Sequence, residues 1–303
     1  MGEVLLKASA YIFIIVAGYV LKKVGFFKPD DYKLILKIAL NITMPAAVIT
    51  NFASFPFDTA LLYITLLSLG INLIMWGLGW VFSIGQAKET RVLYTLNFPG
   101  YNIGSFTMPY VQGFLGAAGV VCTCLFDAGN AIMCTGGSYA LASKAVGGQG
   151  QSLKETLKKL FSTPFCTYML MLIMAITGLS IPKFILPITT TIGNANGFMA
   201  MLMVGTMFEF NPDKTFLKQA ATIIVARYIA AAAFASLFYF VLPFSLEIRQ
   251  VLAIICFAPN SAMTPAFTEK LKGNGALSSF VGSVSIVISV VIITLLIGFM
   301  GLN

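Results

Sequence analysis

Two apolar segments of the sequence each carry an asparagine close to a proline, and these residues are the first candidates for chemistry. Asn102 follows soon after Pro99, and Asn260 directly follows Pro259. Proline removes a backbone donor and clashes with the preceding helical turn, so both segments are predicted to be interrupted helices. Three further residues are predicted to belong to these interruptions: Gly104, Pro109 and Pro265.

The two interruptions together predict a binding site for a small charged solute. Unwound backbone survives in lipid only where protein or a water-filled cavity satisfies it, and half-helices present N-terminal amides to anions and C-terminal carbonyls to cations. The alternative is a pair of kinked packing helices, because proline and glycine are common in membrane helices. Asn41 and Thr43, which interrupt another apolar segment, are also predicted to bind the solute. The predicted solute-binding residues are Tyr101, Asn102, Asn260, Ser261, Thr264, Asn41 and Thr43.

A polar stripe in a neighbouring apolar segment contains an acidic residue, Asp127, deep in a predicted span. A carboxylate at this depth is costly and indicates function, so Asp127 is predicted to take up a proton or to coordinate Na⁺. Thr123 and Asn130, on the same stripe, are predicted to share this role. The alternative is a structural ion pair between Asp127 and Arg227. The stripe recurs at every third or fourth position, on one helix face: Thr123, Asp127, Asn130, Cys134 and Ser138.

Composition defines the environment in which these residues work. Of 303 residues, 58% are hydrophobic and 10% are charged, whereas soluble domains carry about a quarter charged residues. The sequence therefore predicts an all-α membrane protein embedded in a lipid bilayer. It contains no histidine, which excludes an imidazole base, proton shuttle or metal ligand. No cofactor, metal site or nucleic-acid partner is predicted.

Ten stretches are predicted to cross the bilayer, because each approaches the roughly 20 apolar residues that a crossing needs. Of the 19 Lys and Arg residues, 14 fall in alternate connections, 3 on the opposite side and 2 within spans. Cytoplasmic loops carry the basic excess, so both termini are predicted to be extracytoplasmic in the cell membrane. The stretches lie near 4–21, 33–53, 59–84, 91–113, 117–143, 160–179, 184–208, 215–241, 248–270 and 277–301.

The ten predicted spans divide into two sets of five around a central cytoplasmic loop that contains Gly150. An odd number of spans per half forces opposite orientations, so residues 1–148 and 149–303 are predicted to form inverted repeats. Pro109 and Pro265 lie 156 positions apart, close to the offset between the first and sixth spans. Paired interruptions at corresponding positions of such repeats are typical of a transporter's binding site.

Other classes of function fit the sequence less well. An intramembrane aspartyl protease needs two deep acidic residues, and only Asp127 qualifies. A rhomboid-type serine protease needs histidine, so no enzyme is predicted. A channel-like anion pathway, an uncoupled uniporter and a membrane receptor or sensor stay open as alternatives. A stripe of small residues in the last span is interpreted as a packing surface rather than a pore lining: Ser278, Gly282, Ser285 and Ser289.

Four motifs resemble those of the auxin efflux carrier family, and the resemblance covers nearly the whole chain. Each motif is loose by itself, but four in register are fairly specific. The chain lacks the long cytoplasmic loop of the plant members, so it resembles the compact prokaryotic ones, described as malate or malonate permeases. The motifs are Asn41-Ile42-Thr43-Met44-Pro45, Tyr101-Asn102-Ile103-Gly104-Ser105 with Met108-Pro109, Asp127-Ala128-Gly129-Asn130, and Ala258-Pro259-Asn260-Ser261.

The resemblance implies the fold of bile-acid sodium symporters, with spans four and nine crossing at their breaks. Spans one, two, six and seven would form a scaffold, and the other six spans a transport domain that moves as an elevator. It also implies a carboxylate substrate near Asn102 and Asn260. Asp127 replaces a neutral hydroxyl of the symporter pattern, which leaves sodium coupling, proton coupling and uniport open. The assembly state, including a homodimer, also stays open. The implied sodium-site candidates are Ser105, Thr123, Asp127 and Thr264.

Overall fold

The computed structural model describes residues 2–148, 153–208 and 217–302, which are helical with no β-strand. Gly150 of the predicted central loop lies outside the described residues. The α-helices are α1 (Gly2–Lys23), α2 (Asp31–Ile38), α3 (Met44–Ser54), α4 (Tyr63–Phe82), α5 (Lys88–Asn97), α6 (Met108–Ile132), α7 (Ser138–Ala145), α8 (Leu153–Leu160), α9 (Thr163–Thr177), α10 (Ile185–Asn194), α11 (Asn196–Met207), α12 (Leu217–Val241), α13 (Leu246–Ile255), α14 (Thr264–Lys270) and α15 (Gly275–Phe299).

Six helical stretches of the described chain are long and apolar enough to cross a membrane, which confirms a multi-pass helical membrane protein. Four of the ten predicted spans are absent from this set because their helices are short or interrupted. For example, α5 and α13 have 10 residues each before the chain unwinds. The six are Val4–Lys23, Asp31–Ser54, Thr59–Phe82, Ile103–Ala145, Leu217–Val241 and Gly275–Phe299.

Two π-helical turns lie directly before Met-Pro pairs. The turn Ala39–Thr43 leads into α3 at Met44-Pro45, and the turn Ile103–Thr107 leads into α6 at Met108-Pro109. Proline cannot donate to the carbonyl four residues earlier and its ring clashes with that carbonyl, so a widened turn accommodates it. Pro109 therefore lies in the first turn of a helix, where its missing N–H costs little.

The predicted fourth and fifth spans are joined without a separate loop. Helix α6 consists of two helical segments that meet at a kink at Gly116, which has φ 55° and ψ −146°. A positive φ of this size suits glycine because it has no Cβ. A further π-helical turn, Met133–Gly137, separates α6 from α7. The predicted polar stripe from Thr123 to Ser138 is therefore interrupted near its end.

Helices α1 and α11 pack closely through two glycines. A Cβ added at Gly205 would lie 2.1 Å from the carbonyl oxygen of Ile15, and one added at Gly18 would lie 2.7 Å from that of Leu202. Small residues of this kind let membrane helices approach each other, where van der Waals packing drives association. The α1–α11 contact thus depends on the absence of side chains at both positions.

Replacing Gly205 with alanine is expected to destabilise the protein, because the added methyl overlaps backbone that cannot move without separating α1 from α11. Overpacking of this kind costs about 1–3 kcal/mol. Thermal unfolding in detergent measures the effect. Gly70→Ala on α4 is the matched control, because a Cβ added there meets nothing within 4 Å. Equal unfolding temperatures for the two variants would contradict this packing.

Candidate functional site at the crossing of two helix breaks

The two proline-containing segments meet at their unwound regions. Helix α5 ends at Asn97 and α13 ends at Ile255, and each is followed by irregular backbone. We call the irregular segment after α5 the first break and the one after α13 the second break. The backbone N–H of Asn102 donates to the carbonyl of Pro259 over 2.8 Å. Tyr101 and Asn260 form an isolated antiparallel bridge. The breaks therefore contact each other through main-chain groups, and both predicted asparagines lie at the contact.

The side chain of Asn102 keeps hydrogen-bonding capacity in this arrangement. Its Oδ1 accepts from the hydroxyl of Ser105, and its carbonyl accepts from Thr107 Oγ1 over 2.9 Å. Its Nδ2 has no hydrogen-bond partner among the described residues, although only 6% of Asn102 is exposed. An amide nitrogen carries two N–H donors. Asn102 can therefore donate to a bound solute without breaking a protein contact.

Asn260 is bound more fully than Asn102. Its Nδ2 donates to Asn97 Oδ1 over 3.0 Å, and its Oδ1 accepts from the N–H of Ser261 over 3.1 Å. Ser278 Oγ donates to the same Asn97 oxygen over 2.8 Å. Asn260 thus joins the end of α5 to the second break.

Polar side chains from neighbouring helices form hydrogen bonds with the N–H and C=O groups of the unwound backbone, which are costly to leave unpaired within a membrane. Asn130 on α6 accepts from the N–H of Tyr101 over 3.0 Å and donates to its carbonyl over 2.8 Å. In the second break, Ser285 Oγ on α15 accepts from the N–H of Asn260 over 3.0 Å. Ser289 Oγ donates to the carbonyl of Phe257 over 2.6 Å. The small-residue stripe of the last span therefore supports a helix break.

Arg227 on α12 binds the C-terminal end of α5, a role that the sequence did not reveal. Its guanidinium donates to the carbonyls of Asn97, Phe98 and Gly100, and it lies 5.1 Å from the ring centroid of Tyr101. Only 5% of Arg227 is exposed. A cation at a helix C-terminus offsets the negative end of the helix dipole. Arg227 therefore neutralises carbonyls that would otherwise repel an anion at the crossing.

Asp127 lies close to the first break but has partners other than Arg227. It accepts from Asn130 Nδ2 over 3.0 Å and from the Tyr168 hydroxyl of α9 over 3.1 Å. A Cβ added at Gly104 would lie 3.3 Å from Asp127 Oδ2. No salt bridge joins Asp127 to Arg227, both of which belong to the described chain. The ion-pair interpretation has no support in this arrangement.

The other predicted site residues are distributed over several helices. Thr123 donates to the carbonyl of Gly119 within its own helix, and Thr264 begins α14 next to the second break. Asn41 is exposed and bonds to Thr163, whereas buried Thr43 donates to Asn196 Oδ1 over 3.0 Å. Neither Asn41 nor Thr43 lines the cavity at the crossing.

The cavity beside the crossing has a volume of about 320 Å³. Asn102, Asn260 and Ser261 lie at one part of its wall, and Tyr32 of α2 and Glu269 of α14 line it as well. This volume falls within the usual range of pockets for small ligands. The remaining lining residues come from α11, α14 and α15 and the segments next to them: Met207, Phe208, Ala262, Pro265, Ala266, Ser279, Gly282, Ser283 and Ile286.

The fold and the site together define a class of protein. Interrupted membrane helices whose breaks meet beside a polar cavity are the arrangement that secondary transporters use for solute binding. A family model described as membrane transport protein matches residues 7–297, so the chain belongs to this family, that of the auxin efflux carriers. The resemblance of the four motifs is thereby confirmed. This is a family of membrane transporters, not of enzymes. A comparison with curated proteins gives no match.

Proposed function

We propose that this protein is a secondary active transporter that moves a small organic anion across the cell membrane by alternating access. The observation that carries the proposal is the Nδ2 group of Asn102, a donor without a partner in the described part of the chain, beside a 320 Å³ cavity at the crossing. A carboxylate accepts hydrogen bonds and donates none when ionised. The substrate carboxylate would bind at Asn102, next to Asn260 and Ser261.

The helix ends at the crossing favour an anion, and Glu269 is the acidic residue lining the cavity that acts against one. Arg227 binds the carbonyls at the end of α5, so the negative end of this helix is neutralised. On the far side of the break, the π-helical turn Ile103–Thr107 begins directly after Asn102 and leads into α6, so its N-terminal end lies next to Asn102. Helix N-termini bind anions through their backbone N–H groups. An anion at Asn102 would therefore meet donors from both backbone and side chain.

The proposed architecture has ten spans in two inverted repeats, with a scaffold of spans one, two, six and seven. Packing supports it: α1 and α2 contact α11, while α3 contacts α9 and α10. The two breaks are also supported in corresponding ways, by Asn130 for Tyr101 and by Ser285 for Asn260. The other spans would form the moving transport domain. The crossing would travel with this domain and expose the substrate to each side in turn.

The proposed orientation places both termini outside and the basic loops in the cytoplasm. Tyr32, which lines the cavity, follows a basic stretch made of Lys22 and Lys23 in the last turn of α1 and Lys28 after it. The cavity would therefore open toward the cytoplasm in the conformation described. Uncoupled uniport, a channel-like anion pathway and a receptor on the same fold are the alternative functions.

Coupling to a proton or Na⁺ is assigned in this proposal to Asp127. Its hydrogen bond with Tyr168 joins span five, in the proposed moving domain, to span six, in the proposed scaffold. A proton or cation on Asp127 would change the strength of this contact. The coupling ion could thereby control when the moving domain leaves the scaffold.

Replacing Asp127 with asparagine is expected to abolish the dependence of uptake on a pH or Na⁺ gradient while exchange down a substrate gradient continues, because the amide has no ionisable group. Uptake into proteoliposomes with imposed gradients measures this. The control is Asp58→Asn, an exposed residue at the N-cap of the turn Thr59–Leu62. Gradient-driven uptake that survives in Asp127→Asn would remove Asp127 from the coupling role.

The exchange of the two residues, Asp127→Arg with Arg227→Asp, is expected to give no rescue of either single variant. A rescued pair would need contact between the two side chains, and each has separate partners in this structure. Recovery of full coupled transport in the double variant would show that they pair in another conformation. The assay is the same proteoliposome uptake.

A thermal-shift screen of the purified protein tests the proposed substrate class. Malate, malonate and a series of other mono- and dicarboxylates are added with and without Na⁺ and across pH. A ligand that binds only the folded state raises the unfolding temperature by mass action. Stabilisation by at least one carboxylate, absent with the matching primary amide, supports the proposal. Equal response to the acid and its amide would contradict it.

A further inference from the structure

A second cavity, apart from the crossing, forms a groove of about 450 Å³ on the membrane-facing side of the protein. Helices α1 and α15 form its walls through Ile12 and Val16 on one side and Val287 and Val291 on the other. Val16 and Val291 are each 51% exposed, so the groove is open to the bilayer. An apolar groove that is open to the bilayer between α1 and α15 is in contact with lipid hydrocarbon.

The groove has a polar and cationic end. Tyr19 lines it at the end of α1 near Lys22 and Lys23, and Lys23 Nζ lies 5.6 Å from the centroid of the Tyr19 ring. Tyr19 is held in place by an edge-to-face contact with Phe208, whose carbonyl accepts from Lys22 Nζ over 2.5 Å. Tyrosine and lysine in this combination are typical of the level of the lipid headgroups.

The length of the groove fits part of one acyl chain. Its lining on α1 runs from Ile12 to Tyr19, which is about 10 Å at 1.5 Å per residue. This covers about a third of the 30 Å hydrocarbon core, from mid-depth to the headgroup level beside Lys23. We propose that the groove is a binding site for one phospholipid with an anionic headgroup, whose acyl chain lies between α1 and α15 and whose phosphate group lies at Lys23 and Tyr19.

The groove and the cavity at the crossing are adjacent, because Phe208 and Ile286 line both of them. These two side chains separate the acyl chain from the solute cavity. The bound lipid also contacts α1 and α15, which are assigned to the scaffold and to the moving domain in the proposed function. Lipid binding itself does not depend on that assignment, since it needs only the groove and its basic end.

The test measures lipid retained by the full-length protein after reconstitution in nanodiscs of one part phosphatidylglycerol to four parts phosphatidylcholine. The protein is extracted in mild detergent and examined by native mass spectrometry. The wild type is expected to retain one phospholipid, with a ratio of phosphatidylglycerol to phosphatidylcholine about fivefold above that of the nanodisc, the effect of one lysine near an anionic headgroup. The double variant Val16→Trp with Val291→Trp, which fills the groove from exposed positions, is expected to lose the retained lipid.

Lys23→Gln separates the headgroup contact from the acyl contact. It is expected to retain a phospholipid but to lose the preference for phosphatidylglycerol. Phe13→Trp, at a position on α1 that is 71% exposed and outside the groove, and Lys7→Gln, near the other end of α1, are the controls and should behave as the wild type. Thermal unfolding of each variant confirms that it is folded.

Three results would overturn the proposal. The first is undiminished lipid retention in a folded double tryptophan variant, and the second is an unchanged preference for phosphatidylglycerol in Lys23→Gln. The third is a dimer in the wild type that is lost in the tryptophan variant, since the groove would then be covered by a second copy of the chain. Each result is independent of transport activity, so failure here leaves the proposed transport function untouched.

Discussion

Asn102→Ala is expected to lose the carboxylate binding that the thermal-shift screen detects, while the protein stays folded. The substitution removes the Nδ2 donors at the cavity, and a hydrogen bond to a charged group is worth about 1.5–3 kcal/mol. This corresponds to a loss of about 10- to 150-fold in affinity. The bond that Asn102 Oδ1 accepts from Ser105 is also lost, but the main-chain bond between Asn102 and Pro259 is kept.

Asn260→Ala is expected to reduce affinity and stability together, because Asn260 Nδ2 also holds Asn97. Asn194→Ala is the matched control, since Asn194 is exposed at the end of α10 and lies outside the cavity. Affinity is measured from the ligand dependence of the unfolding temperature, and uptake is measured in proteoliposomes. Unchanged affinity and uptake in both Asn102→Ala and Asn260→Ala would refute the assignment of the site.

Arg227→Gln is expected to have the largest effect on stability of any single substitution at the crossing. Three main-chain carbonyls at the end of α5 lose a charged donor in the protein interior, where unsatisfied polar groups are costly. The expected loss in the free energy of unfolding is about 3 kcal/mol or more. Arg227→Lys should recover part of it, since lysine keeps the charge but has no planar fork of donors.

Arg249→Gln is the matched control for Arg227, because Arg249 donates to a single carbonyl, that of Tyr239, over 2.8 Å. Its substitution should cost about 1 kcal/mol. Unfolding in mild detergent and the yield of monodisperse protein measure both effects. If Arg227→Gln unfolds at the same temperature as Arg249→Gln, the account of the neutralised helix end is wrong.

The sequence was informative where proline and asparagine act through local backbone geometry. Pro99 and Pro259 each lie inside an apolar segment, where proline interrupts a helix, so both breaks could be predicted from residue type. Asn102 and Asn260 were predicted at the site because they stand beside those breaks. Pro109 and Pro265 were assigned to the breaks too, but they lie in the first turns of α6 and α14, where proline is well tolerated.

The residues that support the breaks were harder to predict because their roles depend on which helices become neighbours. Arg227 is 127 to 130 positions away from the carbonyls it binds. No pattern in the sequence around Arg227 predicts a contact with residues so far along the chain. Asn130 was assigned to the coupling ion, yet its amide binds both main-chain groups of Tyr101. Ser285 and Ser289 were read as packing residues, and they bind the second break as well. Long-range packing, rather than local preference, determines these contacts.

Solute counterflow by the purified protein tests the central claim most directly. Proteoliposomes are loaded with the carboxylate that stabilises the protein most, and labelled carboxylate is added outside at low concentration. A carrier that alternates its access is expected to show transient, saturable accumulation of label, which Asn102→Ala reduces and Asn194→Ala leaves unchanged. Flux that rises linearly with concentration and shows no transient accumulation would indicate a channel. No flux despite confirmed binding would indicate a receptor, and either result would contradict the proposed function.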